Sequence, residues 1–475
     1  MVGVIPAAGY GTRAYPYTKR VPKCLLDVGG QPNLAAVIEL MRDQLQIRRI
    51  IIITGFGGEL IRERFGDGAA HGVELRYVEN DAIERGLSYS LLRARPHVDD
   101  HFCVVLGDEC YVDSNHAELL AIDYRRSLAV CGVLRDGRRE LISENYGVHI
   151  ANGRIRDIVE KPAEPGDAAL GVGTFVFSPE IFTHFEAALS AGPATASDPV
   201  SVLGHLARGG AAIEPFYLRG GYVNINDRDR LNLANNLVRT RRFAASSMGL
   251  VLVAQGSDEE IERTVGEFRA AHRFDQVVLA VPAERQTLRP GGAEIVVGAT
   301  ARFGDLLRGG LDAVRTDIAV AALADGSSTP RDLGKLLEYL KDADCVVGTR
   351  TTRQLIEQGT NMRGIVRLAH VVLAKILELV WWQFEPRFTD IGCVYRALWT
   401  TTYRMIRPRL VTAGPEFAVE MLLEILQSRR RIIEIPVSFP VRRRSVREQQ
   451  QTVRTFWQIL CLIIARRLRA YRGES

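Results

Sequence analysis

Gly3-Val-Ile-Pro-Ala-Ala-Gly-Tyr-Gly-Thr-Arg13, with Pro16, Thr18, Pro22-Lys23 and Leu25-Leu26-Asp27-Val28 behind it, is the stretch from which the fold is read. Val2 to Ile5 is a short apolar run with strand character. A loop carrying Gly9 and Gly11 follows it at once. Glycine has no Cβ, so backbone N–H groups in such a loop can approach a phosphate closely. Arg13 and Lys23 add two fixed positive charges just downstream. Strand, glycine loop and two cations together make a site for a polyphosphate.

Outward from this loop, Leu34 to Leu45 has helical spacing and Arg49 to Thr54 reads as a strand. Strand-like and helix-like runs alternate through residue 220. That alternation predicts parallel strands joined by crossover helices, hence an open α/β sheet. Ligands of such sheets bind beyond the carboxyl ends of the strands, where the loop at 6–13 lies. Cys103-Val-Val-Leu-Gly-Asp108 repeats the arrangement. An apolar strand ends in Gly107 and one carboxylate, which places Asp108 at the ligand edge, in reach of a hard cation.

Taken whole, the run resembles the signature of the sugar-phosphate nucleotidyltransferases, G-x-G-T-R-x-x-P-x-T-x-x-x-P-K-x-L-L-x-V. It matches at Gly9, Gly11, Thr12, Arg13, Pro16, Thr18, Pro22, Lys23, Leu25, Leu26 and Val28; Ala14 stands where the family usually has Leu. The resemblance extends over residues 1–236 and implies the roles that follow. Ala7, Ala8, Gly9, Gly11 and Thr12 face the nucleotide, joined by Gly86 of Gly86-Leu-Ser-Tyr-Ser-Leu91. Arg13 holds the phosphates that leave as pyrophosphate, and Lys23 holds the incoming sugar phosphate. Tyr146-Gly147-Val148 and Glu160-Lys161-Pro162 resemble the family's Y-G-V and E-K-P motifs. There Gly147 would lie under the sugar, with Glu160 and Lys161 on its hydroxyls and phosphate. Asp108 would bind Mg²⁺. The second metal ligand is usually the Asp of W-x-D-x-G, but here Asn224 holds that place, with Asp227 close enough to compensate. An amide oxygen ligates Mg²⁺ without contributing charge. The expected reaction joins a nucleoside triphosphate to a sugar-1-phosphate or polyol phosphate and releases pyrophosphate.

The second half begins after a charged, then small and polar stretch from Asn235 to Met248. The expected division is 1–236, a linker 237–248, a second α/β domain 249–450 and a basic tail 451–475. Strand runs recur at Gly249–Val253, Gln276–Val281, Ala293–Val297, Ile318–Ala322 and Cys345–Gly348. Phe303 to Leu311, Asp344 to Arg350, Phe388 to Ala397, Gly414 to Glu420 and Ile433 to Val437 resemble, in order, motifs of family 2 glycosyltransferases, especially polyprenyl-phosphate sugar synthases. The resemblance implies a GT-A-like fold. The carboxylates that bind nucleotide and metal in that family are mostly replaced, by Ala254 to Asp258, by Val281-Pro-Ala-Glu284 and by Leu323-Ala-Asp325. The expectation is a second domain that has lost ordinary sugar-nucleotide transfer. The alternative is an active transferase using Asp325, Asp390 and the cluster Arg442, Arg443 and Arg444, which would pass the activated sugar to a lipid phosphate. A further rival is a membrane-associated scaffold in which neither half is catalytic.

At 475 residues the chain is too long for one ordinary domain. Its net charge of +5 is unevenly spread, because Ser428 to Ser475 holds twelve Arg against three Glu. A basic tail favours a membrane surface or an anionic partner; nucleic acid is not expected. Ile365 to Phe384 and Phe456 to Ala465 both suit an interfacial helix, the second flanked by Arg454, Arg466, Arg467 and Arg469. No apolar run reaches the length of a spanning helix. Seven cysteines without a Cys-x-x-Cys pair argue for a reducing compartment and against a zinc site. Strand and glycine loop follow the first residue directly, so no signal peptide is expected. The expected place is therefore the cytoplasm, peripheral on the inner face of the membrane, in an oligomeric state left open.

Overall fold

Val2–Ala7 forms the first strand and is buried along nearly its whole length. It pairs in parallel with Arg49–Thr54 on one side and Phe102–Val105 on the other, so both its edges and both its faces are covered. A parallel strand in that position must be apolar throughout rather than alternating, which is the pattern of Val2 to Ile5. The computed structural model describes all residues except 136–137, 193–197, 353–354, 356–363, 383–386, 441–445 and 473–475. It separates into two compact units, Met1–Val238 and Arg239–Ser475.

The first unit is built on one large sheet. Its main path runs Arg154–Glu160, Tyr146–Ala151, Ala169–Phe177, Phe102–Val105, Val2–Ala7, Arg49–Thr54, Glu74–Glu79. The four strands from Phe102–Val105 to Glu74–Glu79 are parallel. From Ala169–Phe177 outward the pairing turns antiparallel. The sheet is therefore mixed, and the antiparallel part carries Tyr146, Glu160 and Gly171 to the same end as the glycine loop. A separate two-stranded ribbon, Glu109–Val112 with Gly221–Asn224, pairs Asn224 with Glu109. The helix Asn33–Asp43 turns Leu34, Val37, Ile38 and Met41 to the core. The expected helical run and the strand Arg49–Thr54 are both present.

Residues expected as a linker are partly regular. The helix Arg228–Phe243 runs through 237–243, and the next strand starts at Met248.

The second unit has a seven-stranded sheet ordered Glu294–Val297, Gln276–Val281, Met248–Val253, Ile318–Leu323, Arg396–Trp399, Cys345–Thr349, Ile432–Pro436. All neighbours are parallel except those of Arg396–Trp399, which is antiparallel to both. Ser257 caps the helix Asp258–Ala271 through a reciprocal bond with Glu260, so the Ser257-Asp258 pair opens a helix.

The last helix, Val446–Arg472, starts before the expected tail and packs into its own unit. Ile459 and Ile463 join the buried cluster around Leu422 and Trp381. Arg466, expected as a surface anchor, ion-pairs with the fully buried Glu420 and lies 2.9 Å from the fully buried Glu424. No helix of the described residues is long and apolar enough to cross a membrane.

Candidate active site

The centre of the site is an ion pair. Lys23 Nζ lies 2.6 Å from Asp108 Oδ2 and donates a second bond to Asn226 Oδ1 at 2.8 Å. Lys23 is positioned by the glycine loop. Gly11 is in the left-handed region at φ 63°, and a Cβ there would come 3.2 Å from Lys23 Cβ and Thr18 Cγ2. Thr18 Oγ1 donates to the Gly11 carbonyl at 2.7 Å, which fixes the loop. Asp108 is held at the strand end by the buried Asn33. Its amide donates to the carbonyls of Gly107 and Glu109 at 3.0 and 2.9 Å, on either side of Asp108. Arg13 sits in the short turn Thr12–Ala14.

Asp108 and Asn226, the two partners of Lys23, open on a cavity of about 260 Å³. Arg13, Asp108, Asn145, Tyr146, Glu160, Lys161, Gly171, Asp198, Asn224 and Asn226 line it, with Leu87 and Leu91 as apolar wall. Its floor is the buried Glu109. Glu109 accepts from the hydroxyls of Tyr111 and Tyr222, the latter at 2.7 Å, and from the Gly173 N–H at 2.8 Å. Burial outweighs these bonds and pushes its carboxyl up to about 7. Tyr111 also bonds Thr174, which in turn meets His116 Nε2 at 3.0 Å. Burial lowers that imidazole to about 4. At the cavity wall Asp198 caps the helix Pro199–Arg208 by accepting from the Val200 N–H. Burial, then the nearby Glu160, raises its carboxyl.

The expected residues fall into three groups. Arg13, Asp108, Glu160, Lys161 and Asn224 all face the cavity. Lys161 is at φ 43°, a left-handed value that is uncommon for a side-chain-bearing residue and is found where a site constrains the backbone. Ala8 carries the loop, since its carbonyl accepts from the Phe56 N–H at 3.1 Å. Ala7 ends the strand, Gly9 has open space around it, and Thr12 opens the Arg13 turn. Gly86, at φ 84°, begins the helix that supplies Leu87 and Leu91. Two of the expected residues, Gly147 and Asp227, are not among those lining the cavity. A Cβ on Gly147 would point at Ala168 and Ile142, not at the cavity. Gly171 does line the cavity, and a Cβ there would lie 1.7 Å from the Tyr146 ring. Asp227 accepts from the Arg230 N–H at 2.8 Å and serves as a helix cap.

Several contributors escaped the sequence reading: Asn226, Asn145, Asp198 and Glu109. Asn145 accepts from Asn224 Nδ2 at 2.9 Å, and its backbone carbonyl accepts from the Lys161 N–H at 2.8 Å. Asp198-Pro199 is a helix-start signal readable in the sequence. Asn226 stands two residues from Asn224, with no signal that it meets Lys23.

Among the described residues no three His, Cys, Asp or Glu side chains converge as a metal-binding group. A cation shared with substrate needs fewer protein ligands. Asn224 Oδ1 is buried with no hydrogen-bond partner, next to the Asp108 strand end. One carboxylate and one unsatisfied amide oxygen fit Mg²⁺ held jointly with phosphates.

Residues 2–208 match the family described as nucleotidyl transferase. The match lies within the first unit, which is similar to that family. Its homologues are sugar-phosphate nucleotidyltransferases. A UTP–glucose-1-phosphate uridylyltransferase of Haloferax volcanii is 28% identical over 236 residues, which cover 48% of this chain and 94% of that protein. A second such enzyme, from Synechocystis, is 28% identical over 199 residues. These are 39% of this chain, which spans 50% of the Synechocystis protein. A solved UDP-glucose pyrophosphorylase with bound UDP-glucose aligns at 21% identity and a TM-score of 0.45, over 51% of this chain and 99% of that one.

The match to the nucleotidyltransferase family stops before the second unit, whose candidate residues sit differently. Asp390 is fully buried. It is bound by Arg350 Nε at 2.6 Å and Arg350 Nη2 at 2.9 Å, with His370 Nδ1 at 3.0 Å. Burial alone would raise the Asp390 carboxyl. Arg350 and His370 overcome this and hold it far below the usual carboxylate range. Glu434 accepts from the backbone N–H groups of Thr389 and Asp390 and is raised by burial. Asp325 is also buried and accepts from Ser327 N and Oγ at 2.9 and 2.5 Å. Arg442, Arg443 and Arg444 lie outside the described residues.

Proposed function

We propose that the first unit joins a nucleoside triphosphate to a sugar-1-phosphate, giving a nucleotide sugar and pyrophosphate. The two relatives named above favour UTP and glucose-1-phosphate as the first pair to try. The observation that carries the reading is the convergence on one cavity at the strand ends of Arg13, the Glu160–Lys161 pair and Asp108, which holds Lys23 behind it.

A sugar-phosphate oxygen attacks the α-phosphorus, the bond to the β-phosphate oxygen breaks, and pyrophosphate leaves with the electron pair. The protein need supply little covalent chemistry, so positioning and charge neutralisation dominate. Arg13 neutralises the departing phosphates. Lys23, held between Asp108 and Asn226, exchanges one of these partners for the sugar phosphate. Glu160 and Lys161 take the sugar hydroxyls and phosphate, and the Tyr146–Gly171 face receives the ring. Asp108 and Asn224 Oδ1 would hold Mg²⁺, which when bound screens charge on the triphosphate.

For the second unit the reading is a family 2 glycosyltransferase-like domain without sugar-nucleotide transfer. The strands that should end in carboxylates end in Val281 and Leu323. Asp390 and Glu434 are committed to internal bonds.

The test is a pyrophosphate-release screen of the four common nucleoside triphosphates against a panel of sugar and polyol phosphates. Turnover with no pair would overturn the reading of the first unit. Transfer of a sugar from a nucleotide sugar to a lipid phosphate by the full chain would reopen the second.

A further inference from the structure

The second unit presents an apolar surface that the proposed reaction does not use. In the helix Gly364–Val380, Leu368, Val372 and Leu379 are exposed, with Lys375 between them. In the helix Val446–Arg472, Trp457, Cys461, Ile464 and Leu468 are exposed. Both sets follow the same four-three-four spacing, so each is a single stripe along its helix. Trp382, just past the first helix, is 69% exposed and Leu379 is 74% exposed. The opposite faces are spoken for. Leu373, Ala374 and Leu377 of the first helix and Ile459 and Ile463 of the second enter one core cluster. The two helices also pack against each other. Two adjacent helices that bury one face in a common core turn their other faces outward together.

We propose that this two-helix face lies on a lipid bilayer containing anionic headgroups. The charge pattern selects this occupant over a second copy of the chain. Arg454 and Arg469 are exposed beside the stripe, and no Asp or Glu occurs between them in the sequence. A two-fold dimer would set this face against itself, Arg against Arg. Anionic lipid supplies the missing negative charge, at about 1 kcal/mol per basic residue near the surface. Trp382 and Trp457 have the amphipathic shape favoured at headgroup level. Arg466 takes no part, because it is turned inward to Glu420 and Glu424. The contact is therefore a face of the folded unit and not a detachable basic tail.

The test uses the full-length protein and vesicles of phosphatidylcholine, with and without an equal share of phosphatidylglycerol. Cys461 is the one exposed cysteine of the seven and accepts an environment-sensitive fluorophore selectively. Flotation with the anionic vesicles and a blue shift of the label are expected. Leu379→Ser with Leu468→Ser should abolish both. Arg454→Gln with Arg469→Gln should weaken partition by roughly 25-fold, about fivefold per charge, without touching the core. Melting temperatures of both double variants establish that they fold. Absence of flotation would overturn the proposal, as would flotation indifferent to both double variants. A concentration-dependent dimer that Leu379→Ser with Leu468→Ser dissociates would also overturn it, by assigning the face to a second copy.

Discussion

Two ion pairs, one in each unit, show how the same chemistry serves different ends. Lys23–Asp108 is held by single contacts, and its carboxylate remains 31% exposed at a cavity mouth. Arg350–Asp390 is bidentate, with the carboxylate wholly buried and a histidine and backbone N–H groups completing its bonds. A lysine is a compact point charge on a flexible stem and can change partners at small cost. A forked guanidinium on a carboxylate is fixed by geometry. The first pair is suited to exchange with substrate, the second to holding chain segments together.

The sharpest way to break this comparison is Asp390→Ala. It leaves Arg350 buried without its partner, which costs about 3–5 kcal/mol. Thermal or urea unfolding of the second unit should move by that much, while pyrophosphate release at low temperature stays near wild type. If the variant kept its stability but lost sugar-nucleotide binding, Asp390 would be a ligand group.

Next in size is a pH effect on the floor of the first cavity. The Glu109 carboxyl is raised from 4.5 to about 7, so the folded state holds its proton where the unfolded state does not. Its stabilising contribution is full below about pH 4.5 and falls away as pH rises to about 7, by roughly 3 kcal/mol. His116 works in the other direction. Its lowered value makes stability rise with pH between about 4 and 6.5. The two trends overlap, so the wild-type curve alone does not separate them. Glu109→Gln does. Relative to wild type it should gain stability between about pH 4.5 and pH 7, read from urea midpoints. A difference independent of pH would mean that Glu109 is ionised in the folded protein.

Both of these groups lay beyond reach of the sequence, and the reason is physical. The glycine loop and Asp108 were legible because each follows the end of a strand, which local pattern marks, and Lys23 because it stands in the motif run behind the loop. Glu109 was not, since its burial depends on the ribbon register that sets it opposite Asn224 and brings in Tyr222, 113 residues away. Asn226 meets Lys23 across 203 residues. The last helix was legible as amphipathic, but not which of its arginines turns inward. That depended on Glu420, buried on another helix. The parallel half of the first sheet followed from alternation, whereas its antiparallel half carries no comparable signal.

Smaller, and aimed at activity alone, are Arg13→Ala and Lys23→Ala. Each removes a charge-assisted phosphate contact worth roughly 1.5–3 kcal/mol, so pyrophosphate release should fall about ten- to a hundredfold. Neither should lower the melting temperature much, in contrast with Asp390→Ala. Wild-type turnover in both would dissolve the distinction between the two pairs, because Lys23 would then be structural too.

The finest test concerns Asn224. Its Oδ1 is buried without a partner, while its Nδ2 donates to Asn145 Oδ1 at 2.9 Å. Asn224→Asp adds a charge where Mg²⁺ would sit but replaces that donor with an acceptor facing Asn145. Asn145 cannot answer by turning its amide without losing its own bond to the Leu141 carbonyl at 2.8 Å. Gain and loss therefore oppose each other. The carboxylate strengthens the cation site, and the lost bond costs about 1 kcal/mol. We expect a few-fold fall in the Mg²⁺ concentration for half-maximal pyrophosphate release, with a slightly lower melting temperature without Mg²⁺. A second change, Asn145→Ser, should relieve the acceptor clash and restore part of that loss. If the Mg²⁺ titration is unmoved while stability falls, residue 224 belongs to the wall of the cavity and not to its cation.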